Sequence, residues 1–239
     1  MVCSFLVSAQ HFLTLFLGVS DVSMKLIAKL ERLQHLRLYN SSNWRGITDK
    51  GIEELSKLAA LKTLQLNYFK RITNDGLSKL STLTSLRELL LVGSCQIADQ
   101  GIKYLAPLHN LSYLAISLCG TLTDNTLHTI STNFPSLCTL ALGYNNPNSY
   151  FTDEGLLNLL SLNKLKELRL ERTWGLLQGA GARQLKDKII DLQIKQWWWY
   201  ANVCCVILVS ILNYAYIYIS LFVCVVLDLL RRASDECTR

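Results

Sequence analysis

Histidine and cysteine are the residue types in this chain that could support metal or nucleophilic chemistry. The four histidines are His11, His35, His109 and His128, and none of them lies in an HExxH motif. No CxxC pair is present, so the thiol spacing typical of zinc sites is missing. No GxSxG or GxxxxGK[ST] sequence occurs either. This pattern predicts a protein that is not an enzyme and that uses no metal or cofactor.

Composition narrows the function further. The chain has 239 residues, of which 50% are hydrophobic and 18% charged, so a disordered chain is excluded. The net charge is +6, but the only adjacent basic pairs are Lys70-Arg71 and Arg231-Arg232. A nucleic-acid surface normally shows clustered basic residues with aromatics between them, so we expect no nucleic-acid partner. The eight cysteines show no regular spacing, which predicts free thiols in a reducing compartment.

A leucine pattern, L-x-x-L-x-L, recurs along most of the chain. Its copies are Leu33/Leu36/Leu38, Leu61/Leu64/Leu66, Leu86/Leu89/Leu91, Leu111/Leu114/Ile116, Leu137/Leu140/Leu142, Leu165/Leu168/Leu170 and a degenerate Ile189/Leu192/Ile194. The first positions lie 26 residues apart on average. In L-x-L the two leucines point to one face of a short strand, because side chains alternate along a strand.

A second pattern, I-T-D-x-G-I-x-x-L, follows the leucine runs and is complete at residues 47–55. Related copies begin at Val19, Ile72, Ile97, Leu122 and Phe151. Its apolar spacing is helical, and its Thr-Asp pair falls where a helix N-cap belongs. One strand and one helix cannot bury their own apolar faces, whereas stacked copies can. The sequence therefore predicts an α/β solenoid with a parallel sheet inside and helices outside.

The 26-residue period and the I-T-D-x-G-I-x-x-L helix start resemble the cysteine-containing leucine-rich-repeat family, with Cys119 at the family's cysteine position. The resemblance covers about residues 19–194 and implies a right-handed α/β horseshoe segment of about six to seven repeats. The family is common in F-box/LRR proteins, the substrate receptors of cullin–RING ubiquitin ligases. It thus implies a role in ubiquitination and ubiquitin-ligase components among the partners. Residues 1–18 are too few for an F-box, so we expect an adaptor-less or truncated relative.

The third residue after each strand's last leucine is predicted to hold the turn that leaves the strand. These residues are Ser41, Phe69, Ser94, Cys119, Asn145 and Thr173. A small or polar side chain at this position can hydrogen-bond the backbone of the turn. Phe69 cannot do so, and we expect its turn to be held in another way.

The exposed side of the strands is the candidate functional surface. Its centre is apolar and aromatic and its ends are charged, which is how a protein interface is usually built. Tyrosine and arginine are common anchors of such interfaces. The residues predicted to bind a partner are Arg37, Tyr39, Tyr68, Leu90, Val92, Tyr113, Leu118, Tyr144, Arg169 and Arg172. The alternative is that small exposed residues only allow the strands to curve.

The N-terminal residues 1–18 carry no charged side chain and fit two interpretations. A secretory signal would have a basic start, which is missing here, and Gln10-His11 interrupt the apolar run. The preferred interpretation is a worn first repeat or cap, with Phe12, Leu13 and Leu15 supplying its strand.

The C-terminal tail, residues 195–239, is unusually apolar. Residues 196–227 carry no charge, and the 25 residues from Val203 to Leu227 are long enough to span a bilayer as a helix. Trp197, Trp198 and Trp199 would then lie at the membrane interface. A spurious translated tail and a buried cap of the solenoid are the other two interpretations.

The sequence as a whole predicts a non-enzymatic module that recognises a protein partner on the concave face of the solenoid. We expect a cytoplasmic protein, with a membrane anchor if the tail is authentic. The alternative is a tail-anchored or secreted membrane receptor or adhesion protein. That alternative predicts glycans at Asn40 or Asn110, which both lie in N-x-S triplets.

Overall fold

The computed structural model describes residues 11–16, 19–40, 46–93, 96–117, 119, 121–143, 151–170, 179–188 and 193–196. The chain divides into two units between Trp197 and Trp198, and every described residue lies in the first unit.

Eight short strands form one parallel sheet whose spatial order follows the sequence order. They are β1 (Phe12–Phe16), β2 (His35–Tyr39), β3 (Thr63–Asn67), β4 (Glu88–Val92), β5 (Tyr113–Ser117), β6 (Thr139–Leu142), β7 (Glu167–Leu170) and β8 (Gln193–Gln196). Neighbouring parallel strands need a crossover between them, which the helices supply. The strand β1 lies in the segment interpreted as a worn repeat or signal, and it pairs with β2.

Helices connect these strands in the described part of the chain. They are α1 (Asp21–Ile27), α2 (Asp49–Leu55), α3 (Asn74–Leu80), α4 (Asp99–Tyr104), α5 (Asp124–Asn133), α6 (Asp153–Leu157) with a 3₁₀ turn at Asn158–Ser161, and α7 (Ala180–Lys188). Their short length follows from the sequence, because each apolar helix pattern runs for only about two turns before the next leucine run. The predicted α/β solenoid is confirmed.

The leucines of the strands form the core. The second residue of every strand from β1 to β7 is a leucine, and these leucines stand in register from Leu13 in β1 to Leu168 in β7. The fourth residues form a parallel row from Leu15 to Leu170. From β2 onward every member of both rows is fully buried, whereas Leu13 and Leu15 retain a little exposure. Burial of each such side chain contributes about 2 kcal/mol to folding.

Threonine caps most of the helices, as predicted. The side chain of Thr73 accepts a hydrogen bond from the Asp75 amide at 3.1 Å, and that of Thr152 accepts one from the Gly155 amide at 3.0 Å. Each bond satisfies one of the amides left free at a helix start. The aspartate that follows the threonine has a different role from the predicted cap, because it is the first residue of the helix.

These aspartates join each repeat to the next, in what we call the Asp–Thr ladder. Asp49 accepts the backbone N–H of Thr73 at 2.8 Å and the Thr73 hydroxyl at 2.7 Å. The pairs Asp21–Thr48, Asp99–Thr123 and Asp124–Thr152 repeat this geometry. The ladder therefore fixes the spacing of successive helix starts, and with it the register of the strands that carry the concave face.

The glycine of I-T-D-x-G makes room for this ladder. A Cβ atom on Gly51 would lie 2.5 Å from Asp21 Oδ1, and one on Gly76 would collide with the carboxylate of Asp49. In the fifth repeat Thr126 takes the glycine position, and its hydroxyl donates a hydrogen bond to Asp99 Oδ1 at 2.5 Å. The glycine therefore serves the close approach of two repeats rather than backbone freedom, and Thr126 replaces it by hydrogen-bonding the aspartate.

Two of the predicted turn residues, Phe69 and Cys119, are described, whereas Ser41, Ser94, Asn145 and Thr173 lie outside the described residues. Buried Cys119 directs its thiol at the backbone oxygens of Leu91 and Ser117, at 3.7 and 3.5 Å. Phe69 is fully buried, and its turn places Tyr68 in the left-handed region at φ 64°. The Asn40 side chain donates to the Tyr68 carbonyl at 3.4 Å, which supplies a polar contact that Phe69 cannot make.

Candidate functional site

The concave face is built from the first and third residues of strands β1 to β7, which alternate with the leucines of the core. Because the strands are in register, these residues form rows that run across the sheet. The first row is Phe12, His35, Thr63, Glu88, Tyr113, Thr139 and Glu167, and the second is Thr14, Arg37, Gln65, Leu90, Ala115, Ala141 and Arg169.

The predicted contact residues differ in their exposure. Arg37 is exposed, while Tyr39, Tyr68, Leu90, Tyr113 and Arg169 are half-buried. Val92 is fully buried, so the prediction that it offers surface to a partner is wrong. As the last residue of β4, it stands beside Asn67 and Ser117, which are buried as well. Leu118, Tyr144 and Arg172 lie outside the described residues.

Tyr113 and Arg169 are brought together although 56 residues separate them in the sequence. The Arg169 guanidinium lies 5.9 Å from the centre of the Tyr113 ring, within the range of a cation–π contact. Arg169 Nη1 also approaches the Tyr113 hydroxyl at 3.5 Å. The strand β6 runs between them and places only Thr139 and Ala141 on this part of the face, so the two long side chains can meet across it.

Glu167 completes this cluster, which we call the Tyr–Arg–Glu cluster. Its Oε2 lies 2.8 Å from Arg169 Nη2, so the guanidinium is held between a carboxylate and an aromatic ring. The hydrogen bond to Glu167 raises the pKa of Arg169, against the effect of burial. Burial raises the pKa of Tyr113, Arg169 opposes that rise, and the acids Glu167 and Glu88 reinforce it. The cluster therefore presents a neutral phenol beside a fixed cation at neutral pH.

The centre of the face is less exposed than its composition predicts. Ala115 and Ala141 are adjacent in the second row and both are fully buried. Apolar surface at the centre therefore comes from the half-buried Leu90 and from the Tyr113 ring rather than from the alanines.

A chain of polar contacts at the other end of the first row was not predicted. His35 Nδ1 lies 2.9 Å from Thr63 Oγ1, and the Thr63 hydroxyl donates to Glu88 Oε2 at 3.2 Å. Because that hydroxyl proton points to Glu88, the bond to His35 requires a proton on Nδ1. The Phe12 ring stacks on the other side of His35 at 4.1 Å between centroids. These four residues occupy the first positions of four successive strands, and that pattern in the sequence could have predicted these contacts.

The pKa of His35 is lowered by burial of its ring. Lys62, Arg37 and His11 lower it further, whereas the Glu88 carboxylate raises it. Burial also raises the pKa of Tyr39, against the effect of Arg37 and of a hydrogen bond with the Gln65 side chain. This end of the face thus holds uncharged ring groups beside the exposed Arg37.

The remaining sequence predictions concern metals and membranes. Within the described part of the chain, no three His, Cys, Asp or Glu side chains could hold a metal ion together. Among the same residues no helix has the length and apolar character needed to cross a membrane. Trp197, Trp198, Trp199 and the segment from Val203 to Leu227 lie outside the described residues, so the membrane anchor stays a prediction. The absence of a cofactor and of enzymatic activity stay predictions too.

Parallel strands in sequence order, the two leucine rows and the recurring helix starts define a leucine-rich-repeat solenoid. No protein-family model matches the sequence, and comparison with curated proteins finds no match. Among solved structures the chain resembles an internalin from Listeria monocytogenes, with 21% identity and a TM-score of 0.47 over 75% of this chain and 52% of that one. It also resembles the TLR13–ssRNA13 complex, with 20% identity and a TM-score of 0.39 over 66% of this chain and 28% of that one.

The chain spans about half the length of the internalin and about a quarter of the TLR13 chain. At these identities the likeness concerns the fold alone. The F-box/LRR resemblance and the exclusion of nucleic acid therefore stay predictions.

Proposed function

We propose that this chain is a protein-recognition module that binds a partner protein on its concave face. The Tyr–Arg–Glu cluster carries this proposal. Tyrosine and arginine are the residue types that most often dominate binding energy at interfaces. Here Arg169 contacts both Tyr113 and Glu167 without any partner present. Side chains that are ordered before binding lose less conformational entropy when a partner arrives.

The distribution of charge along the face suggests how a partner is oriented. Exposed Arg37 lies near the β1 end of the second row, and Arg169 lies at its β7 end. Gln65, Leu90, Ala115 and Ala141 separate them, and Glu88 adds an exposed carboxylate in the first row. Complementary charges at the two ends of an interface fix its register and speed association more than they add affinity. A partner with an apolar centre and acidic groups at both ends fits this face.

We further propose that the partner is a substrate or component of a ubiquitin ligase, acting in the cytoplasm. The 26-residue period, the helix-start pattern and the buried Cys119 at the turn support this resemblance to the repeats of F-box/LRR receptors. In such a role the chain supplies recognition and no catalysis. The Cys119 thiol stays reduced in the cytoplasm, which agrees with its contacts to backbone oxygens.

Site-directed photo-crosslinking tests the concave face directly. A photoreactive amino acid replaces Leu90 in one variant and the exposed Lys103 of α4 in its control. We expect a defined adduct from position 90 and none of that mass from position 103.

Affinity measurement is the second step. The partner protein identified in the adduct is purified, and its affinity for the chain is measured. We expect Tyr113→Ala and Arg169→Ala each to weaken binding about tenfold or more, whereas Gln100→Ala leaves it unchanged.

Two results would overturn the proposal. One is a partner that crosslinks equally from both positions. The other is an affinity that survives combination of Tyr113→Ala with Arg169→Ala while circular dichroism shows an intact fold. The ubiquitination role is tested separately, by measuring the partner's half-life in cells with and without the chain. A half-life that is the same with wild type and with Tyr113→Ala would contradict that role and leave recognition itself standing.

A further inference from the structure

The outward face of helix α1 and of the turn after it is apolar, unlike the outward faces of α2 and α3. Val22, Leu26 and Leu30 are 70%, 62% and 48% exposed. The positions that correspond to Val22 are the exposed polar residues Lys50 in α2 and Asp75 in α3. Those that correspond to Leu26 are Glu54 and Lys79. Two large aliphatic side chains on this short helix and a third just beyond its end form a surface that needs a partner.

Lysines flank these aliphatic side chains. Lys25 and Lys29 are both exposed, and neither forms an ion pair with any described residue. In α2 the corresponding lysine, Lys57, lies 2.6 Å from Glu54. Leu26 takes the place of that glutamate in α1, so Lys29 lacks the equivalent partner. We call Val22, Lys25, Leu26, Lys29 and Leu30 the α1 patch.

The charge of the α1 patch argues against two occupants. A second copy that docked patch to patch would place Lys25 and Lys29 against the same lysines of its mate, and like charges repel. The apolar segments of this chain, residues 1–10 and 196–227, carry no acidic side chain. Either segment would cover the aliphatic residues but leave both lysines without counter-charges. The occupant must combine an apolar interior with a negatively charged surface.

The high exposure of the aliphatic side chains decides between a protein and a membrane. A partner helix binds in a groove whose walls bury its apolar face. Val22 and Leu26 instead expose most of their surface and project from the helix. Projecting aliphatic residues with lysines beside them are suited to the boundary between lipid headgroups and acyl chains. The lysines then meet the phosphate and carboxylate groups of anionic lipids.

We propose that the α1 patch docks the solenoid on a membrane surface that contains anionic phospholipids. Val22, Leu26 and Leu30 enter the headgroup region, and Lys25 and Lys29 neutralise lipid charges. The patch lies on the helix side of the solenoid, whereas the proposed partner site lies on the strand side. Docking therefore leaves the concave face accessible, and this proposal does not depend on the proposed function.

Vesicle binding by the full chain is the first test. Binding is measured to vesicles of phosphatidylcholine alone and of phosphatidylcholine with phosphatidylserine. We expect tighter binding to the anionic vesicles, and release by high salt of that added binding. Lys25→Gln with Lys29→Gln should reduce the added binding about 25-fold, since each lysine contributes about fivefold. Leu26→Gln should also reduce it several-fold. The matched control is Lys50→Gln with Lys79→Gln, which removes the same charge from α2 and α3 and should change little.

A second measurement distinguishes binding through the α1 patch from binding through the apolar tail, since the tail could hold every variant on the vesicles. A photoreactive amino acid replaces Val22, and the control carries it at the corresponding Lys50 of α2. We expect lipid adducts from position 22 and few from position 50. The proposal is overturned by equal adducts from both positions, by equal binding to both vesicle types, or by a loss of affinity with the control pair as great as with Lys25 and Lys29. A protein–protein adduct from position 22 that joins two copies would identify self-association instead.

Discussion

Two sets of polar contacts run across the repeats, and they differ in regularity. On the helix side, the Asp–Thr ladder uses the same pair of residues at four of its six described steps, as in Asp49–Thr73 and Asp99–Thr123. On the concave face, the contacts His35–Thr63–Glu88 and Tyr113–Arg169–Glu167 share only one residue type, glutamate. The ladder repeats because every repeat must stack in the same way. The concave contacts vary because stacking does not require any particular residue there, which leaves them available for recognition.

Removing one step of the ladder should have the largest effect on stability. Asp49→Ala deletes two hydrogen bonds to a carboxylate and leaves the Thr73 amide without its acceptor. We expect the free energy of unfolding to fall by about 2 kcal/mol, as measured by urea denaturation. Arg169→Ala on the concave face removes a partly exposed ion pair and should cost less than about 1 kcal/mol. Equal losses for the two variants would remove the distinction between scaffold and recognition contacts.

The sequence allowed the scaffold to be predicted in more detail than the concave face. The leucine spacing predicted the strands and the core, and the Thr-Asp pair predicted the helix starts. That Asp49 reaches the next repeat could not be foreseen, because a cap within its own helix explains the same residue type. Contacts such as Tyr113–Arg169 depend on small residues in an intervening strand, and no local pattern reports them. Val92 was predicted to be exposed from its strand position alone, but its neighbours in the fold bury it.

Two described steps of the ladder lack the threonine, Asn74–Ala98 and Asp153–Ala180, and the first of them allows a sharper test. At α4 the threonine is replaced by Ala98, and the preceding aspartate is replaced by Asn74. The Ala98 amide donates to Asn74 Oδ1 at 2.9 Å. Ala98 has no hydroxyl to donate, and Asn74 has no second side-chain oxygen to accept one. Asn74, with a single side-chain oxygen, therefore matches Ala98, which offers only its backbone amide.

A double-mutant cycle on this pair should reveal their coupling. We expect Asn74→Asp alone to be neutral or destabilising, because its second oxygen finds no hydroxyl donor. Ala98→Thr alone should gain a helix cap without the bond to a carboxylate. Together they recreate the step seen at Asp49 and Thr73, and we expect a favourable coupling of about 1 kcal/mol by urea denaturation. Additive effects would mean that residues 74 and 98 do not interact energetically, which would contradict the proposed match between them.

The smallest expected effect lies on the concave face and depends on pH. Burial holds the pKa of His35 below 6.5, and Glu88 limits that shift. Because the folded pKa is the lower one, the stability from neutral His35 is complete above about pH 6.5 and is lost as pH falls through the folded pKa. We expect His35→Gln to flatten the dependence of unfolding free energy on pH in this range. Glu88→Gln should lower the pKa of His35 further, as measured by NMR titration of the labelled ring, because it removes the charge that favours protonation. A pKa for His35 above that of a model peptide, or no response to Glu88→Gln, would show that the hydrogen bonds linking His35, Thr63 and Glu88 are not formed in solution.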